Sequence, residues 1–139
     1  MEIVKKSDAG MAKTPLLYPE LRTIRAAPAH RKIALPTVDG LCFEHIENIL
    51  FLVASGNYTI LHFHDGHQTM VCKTLSAIEE MLPNFQQFVR IHRSYTINLN
   101  WLKKYVRGKS GYVIMENGES MNVSASRRMA FMEAIEGYF

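Results

Sequence analysis

The sequence predicts a mainly β fold, and three observations carry that prediction. Between Ile33 and Val123 the apolar residues fall in brief alternating runs, the period of a half-buried strand. Two dipeptides, Asp65-Gly66 and Asn117-Gly118, separate such runs with residues that accept the positive φ angles of a type I′ hairpin. From Ile33 onward helical spacing is confined to two stretches, one short and one at the C-terminus.

Residues 1–30 carry little periodic pattern and hold Pro15, Pro19 and Pro28, so they read as an N-terminal tail or linker with a short helix near residues 20–26. Residues 31–139 form the folded domain. Strands are predicted at 32–36, 40–45, 49–54, 57–64 and 67–72, the last two joined by a two-residue turn at Asp65-Gly66. That pairing sets His64 opposite His67, with His62 on the same face. A helix follows at 74–82, where Leu75, Ile78 and Leu82 share one side and Ser76 and Glu79 have capping-box spacing; Pro83 ends it. Strands return at 95–98, 101–106, 111–116 and 119–123. The turn between the last two sets Glu116 against Glu119, a repulsion that only a solvated face tolerates. From residue 126 onward Met129, Met132, Ile135 and Phe139 recur at near-helical spacing, predicting a helix that covers the open side of a sheet.

A chain of 139 residues supports one domain with a real core. Its net charge of +3 is modest, so any argument for a polyanionic partner rests on where the charge lies. The two cysteines, Cys42 and Cys72, have no metal-finger spacing and fit unpaired thiols in a reducing compartment, although a disulfide stays open. The N-terminus has no apolar signal core, and the longest strongly apolar run, ILFLVA at 49–54, falls far short of the roughly 20 residues of a membrane span. A soluble, cytoplasmic protein is expected.

The charge is unevenly placed. From residue 81 to 115 there is no acid, while Arg90, Arg93, Lys103, Lys104, Arg107 and Lys109 all fall there. Within it FVRIHRSYTIN, residues 88–98, interleaves basic and hydroxyl side chains with apolar anchors, a pattern suited to phosphate. Val89, Ile91, Tyr95, Ile97 and Leu99 share one parity, and Arg93 falls on it too. An unpaired buried guanidinium is costly, so the backbone should bend around residues 92–94 and project Arg93 outward; the plainer alternative is a strand whose Arg93 meets a buried acid. The last helix starts with Arg127 and Arg128, where the helix dipole disfavours cations. Beside Ser124, Ser126 and free helix N–H groups they suit a phosphate, or they are simply solvated.

FVRIHRSYTINLNWLKKY, followed by YVIMENGESMNVS and a terminal helix, resembles the LytTR-type DNA-binding domain of bacterial transcriptional regulators. ENILFLVASGNYTILHFHDG upstream is similar to that family's early strands, and the resemblance covers about residues 31–139. It implies about ten short strands in small antiparallel sheets with one short helix and a C-terminal helix, and DNA read by loops. Carried over, the base-contact candidates are Asn57, Tyr58, Arg93, Ser126 and Arg127, and the phosphate-contact candidates Arg90, His92, Ser94, Ser124 and Arg128. Arg90, His92 and Ser94 have loop support as their other reading, Gly56-Asn57 is also plain turn chemistry, and Asn98 should tie loop backbone. Arg93 leads, because a guanidinium fork matches guanine O6 and N7.

The family often has arginine directly after the Val-Ser of the loop that enters the last helix, here Val123-Ser124; Ala125 stands there instead, so which of Arg127 and Arg128 faces DNA stays open. The implied partner is double-stranded DNA with direct-repeat half-sites, bound by a homodimer assembled on it, with no cofactor, metal, small-molecule substrate or membrane. Such regulators commonly carry a receiver domain, as in two-component response regulators, or a sensor segment. Thirty residues encode neither, so a stand-alone member or a fragment is expected.

Other readings compete less well. His62, His64 and His67 share a hairpin face and offer a metal site, although a solvated polar hairpin is the commoner outcome. Enzymatic motifs such as a glycine-rich phosphate loop, a nucleophile elbow or HExxH are absent. A β-barrel binding RNA or single strands would need Tyr58, Phe63, Tyr95, Trp101 and Tyr105 exposed as stacking platforms, yet most fall on apolar parity. A protein-interaction module that has lost DNA binding is the third alternative.

Overall fold

A computed structural model describes residues 31–82 and 86–139; the expected helix near residues 20–26 and the stop at Pro83 lie outside them. Ten strands form three antiparallel sheets. β1 (Lys32–Thr37) pairs with β2 (Gly40–His45). The central sheet has the order β5-β4-β3-β7-β6, built from β3 (Ile49–Ser55), β4 (Tyr58–Phe63), β5 (Gln68–Val71), β6 (Phe88–His92) and β7 (Tyr95–Asn98). The third sheet joins β8 (Leu102–Val106), β9 (Tyr112–Met115) and β10 (Ser120–Asn122) in the order β10-β9-β8. Two α-helices, α1 (Leu75–Glu80) and α2 (Arg128–Tyr138), complete the domain.

The central sheet is buried on both faces, which explains the unbroken apolar run of β3. Ile49 and Leu52 join one core with Ile33 and Leu35 of the β1–β2 hairpin and Leu75 and Ile78 of α1. Leu50 and Phe51 join a second core with Val113, Met115 and Met121 of the outer sheet and Phe131 of α2. A register shift between Ile49 and Phe51 lets neighbouring residues serve opposite cores.

β6 was not among the sequence-predicted strands. It pairs with β7 through Val89↔Ile97 and Arg90↔Thr96, then shifts register so that His92 meets Tyr95. This leaves Ile91 as the extra residue of a bulge, and the expected bend follows as a turn at Arg93 and Ser94.

Three local expectations need correction. Both glycine turns close as three-residue loops: Phe63 N–H donates to the His67 carbonyl and Met115 N–H to the Glu119 carbonyl, with Gly66 and Gly118 at φ 97° and 92°. A turn followed by a left-handed glycine is the usual three-residue hairpin, and its added residue moves Glu116 out of opposition to Glu119, and His64 out of opposition to His67. The N-cap of α1 is Thr74, whose hydroxyl accepts from Ala77 N–H, so Ser76 and Glu79 make no capping box. The buried side of α2 is Phe131, with Ile135 and Tyr138 packed beside it, while Met129 is 79% and Phe139 74% exposed. A 3-10 turn at Ala125–Arg127 precedes α2 and sets its phase.

Candidate nucleic-acid interface

Three short loops and a fourth beside them are joined edge to edge by main-chain hydrogen bonds. The first, Gly56 and Asn57, is a two-residue turn closed by Ser55↔Tyr58, with Gly56 at φ 61°, where a side chain would be strained. Next to it, Ala54 N–H donates to the Ser94 carbonyl at 2.8 Å, holding the β3–β4 hairpin against the turn at Arg93 and Ser94. On the other flank Ser124 N–H donates to the Ile91 carbonyl at 2.9 Å, which fixes the third loop against β6. Beyond it, Val123 N–H donates to the Gly111 carbonyl at 3.1 Å, at the end of the β8–β9 loop.

Arg90 braces the second loop. Its Nε donates to the His92 carbonyl at 2.9 Å, its Nη2 to the Arg93 carbonyl at 2.6 Å and its Nη1 to Glu79 Oε1 at 2.9 Å. The other oxygen of Glu79 accepts from the Thr96 hydroxyl at 2.7 Å, so α1 anchors both strands under the turn. His92 Nδ1 accepts from Ser94 N–H at 3.1 Å, which places the ring proton on Nε2. With these carbonyls and N–H groups occupied, Arg93 stands exposed at the tip. The acid that meets an arginine here pairs with Arg90, not with Arg93.

In the third loop Ser126 is exposed and Ser124 and Arg127 are half-buried, with the two hydroxyl oxygens 3.5 Å apart. Arg127 also lines an open groove of about 500 Å³ between β6 and α2, with Phe88, Val89, Ala130 and Ala134. Arg128 turns the other way: its Nη2 donates to the Lys109 carbonyl at 3.0 Å, and its buried Nε has no partner among the described residues. Asn57 and Tyr58 are exposed in the first loop. The base-contact candidates are thus the exposed tips together with Arg127, and the phosphate candidates Arg90, His92 and Arg128 are largely engaged in holding loops. Asn98 is buried; its Nδ2 donates to the Ile49 carbonyl and its Oδ1 accepts from Asn100 N–H, a backbone tie as expected.

Glu79 was missed as a site residue because its spacing from Ser76 suggested a cap. The cross-strand pair Arg90↔Thr96, both of whose side chains donate to Glu79, exists only once β6 and β7 are paired, so local spacing carries no signal of it. The histidines separate: His62 stacks on Phe51, His64 on Trp101 and His67 on Phe63, and no group of three metal-ligating side chains forms among the described residues. Burial pushes the His62 imidazole below the ordinary histidine range, against the field of Glu119. His67 bonds Asp65 through Nδ1 and Glu44 through Nε2. Burial alone lowers its pKa, but those two hydrogen bonds and the fields of both carboxylates outweigh it and leave His67 above the ordinary range. Both cysteines are free thiols; the hydrogen bond from Cys42 to Glu44 raises the Cys42 pKa most, with desolvation adding to it.

The stacking platform required by a single-strand binder does not form. Phe63 is buried, and Tyr95, Trp101 and Tyr105 pack on the second core, with Trp101 Nε1 donating to the Glu47 carbonyl at 2.8 Å. Of the five aromatics only Tyr58 is exposed.

The LytTr DNA-binding domain family model matches residues 39–136. The chain belongs to the LytTR family. A solved LytTr DNA-binding domain from Bacillus cereus superposes with a TM-score of 0.64 at 25% identity, covering 75% of this chain and 95% of that one. The CO-responsive transcriptional regulator RcoM of Rhodospirillum rubrum is 29% identical over 89 residues, which are 63% of this chain and 37% of RcoM. The chain therefore matches a little over a third of that regulator's length. Residues 39–136 are thus a LytTr DNA-binding domain, and the ten strands in small antiparallel sheets with two helices among the described residues are the LytTr fold. Among the described residues no helix is long and apolar enough to cross a membrane.

Proposed function

We propose that this chain is a sequence-specific reader of double-stranded DNA that regulates transcription in the cytoplasm, residues 31–139 forming its DNA-binding domain and 1–30 a tail or linker. Bases are read in the major groove by the three loops, with Asn57, Tyr58, Arg93, Ser126 and Arg127 facing base edges and Ser94 and Ser124 at phosphates. The name of RcoM, a transcriptional regulator, supports the regulatory role. The family resemblance supports direct-repeat half-sites filled by two copies, as in response regulators.

The observation that carries this reading is Arg93, exposed on a turn whose neighbouring carbonyls are already held by Arg90. A turn whose backbone is fixed in this way leaves only the Arg93 side chain to be ordered when its guanidinium meets O6 and N7 of one guanine. Selection from a random duplex library at physiological salt should return one preferred site. Arg93→Ala should then relax preference at a single base pair and cost about 1–3 kcal/mol in binding. Unchanged affinity and unchanged preference in that variant would remove Arg93 from the base-reading role.

A further inference from the structure

We propose that the β8–β9 loop, residues 107–110, is a fourth DNA-contacting element, which grips backbone phosphates beside the third loop and reads no base. The inference rests on the three-loop reading above and extends it to Arg107 and Lys109.

Position supports it first. The first, second and third loops are joined in order by Ala54 N–H to the Ser94 carbonyl and Ser124 N–H to the Ile91 carbonyl. The same stitching continues one step further, because Val123 N–H bonds the Gly111 carbonyl and Arg128 Nη2 bonds the Lys109 carbonyl. The β8–β9 loop therefore lies directly next to the third loop, at one end of the row.

Rigidity supports it second. Gly111 closes the loop at φ 32° against the ring of Tyr105, where a methyl group would stand 2.5 Å from the tyrosine hydroxyl oxygen. Tyr105 in turn packs on Phe131 of α2, with ring centroids 5.4 Å apart. An exposed loop pinned at Lys109 and Gly111 pays little ordering entropy on binding.

Charge supports it third. Arg107 and Lys109 are exposed, Gly108 and Ser110 between and beside them add no bulk, and no acid occurs between residues 81 and 115. Arg128 adds its guanidinium behind the Lys109 carbonyl. Lysine meets a phosphate as a point charge and arginine through its planar fork, and contacts of either kind to the backbone carry no sequence information.

The test measures binding of the full chain to its selected duplex and to a scrambled one, across a salt series. Arg107→Ala/Lys109→Ala is compared with Lys103→Ala/Lys104→Ala, an equal loss of charge at exposed positions of β8. The loop variant should weaken both duplexes about tenfold alike and flatten the slope of log affinity against log salt by about two, whereas the strand variant should leave the slope close to the parent's. Equal slopes in the parent and the loop variant, or equal flattening in both variants, would overturn the fourth contact while leaving the three loops in place. Absence of duplex binding by the parent would overturn the three-loop reading, and the fourth loop with it.

Discussion

Arg90 and Arg93 lie three residues apart and divide the work of one turn. Arg90 spends its donors on Glu79 and on the carbonyls of His92 and Arg93, while Arg93 spends none within the domain that the structure records. The two should respond oppositely to substitution. Arg90→Lys keeps the charge but loses the fork, and should lower folding stability by about 1–3 kcal/mol in urea unfolding. Arg93→Ala, at an exposed tip, should change stability by no more than about 0.5 kcal/mol while damaging base preference. The exposure of Arg93 was legible in the sequence, since its parity would otherwise bury an arginine. The brace was not, because local spacing cannot show that Glu79 lies across from β6, eleven residues away in sequence.

At the scale of elements, what the sequence conveyed was the existence of strands and helices more than their phase. Asp65-Gly66 and Asn117-Gly118 mark hairpins correctly, but the same dipeptides serve two-residue and three-residue loops, and the one-residue difference exchanges faces. α2 offers two apolar stripes, and the 3-10 turn before it selects the one through Phe131. Phe131→Ala should therefore cost about 3–5 kcal/mol of stability, against about 0.5 kcal/mol or less for Met129→Ala.

The β4–β5 hairpin adds a pH dependence. Protonated His67 joins Asp65 to Glu44 of β2, and its pKa is raised above the ordinary 6.5. Its contribution is thus fully present below 6.5 and fades as pH rises through the folded-state value. His62 acts with the opposite sign: its lowered pKa takes stability away as pH falls through 6.5. Subtracting a His67→Gln urea series from the parent's isolates the first effect, and the difference should shrink steadily as pH rises. A difference that grew with pH would show that His67 is not held as a cation.

For the whole molecule, the central fact is a sheet covered on both faces. One core seats α1, whose Glu79 holds the second loop from below. The other seats the outer sheet and α2, which carry the third loop and the β8–β9 loop. Membership of the LytTR family could be read from FVRIHRSYTIN and its neighbours, and the ten-strand architecture came with it. The order of the loops could not, because it depends on hydrogen bonds between residues far apart in the chain, such as Ala54 with Ser94 and Ser124 with Ile91.

Those connecting bonds run from amide to carbonyl. Ala54, Ser94, Ile91, Ser124, Val123 and Gly111 contribute through groups that nearly every amino acid possesses. The distances between loop tips are consequently independent of which side chains the tips display. On the proposed reading, substitutions at positions 57, 93 and 126 should change operator preference while leaving the spacing of the loops as it is.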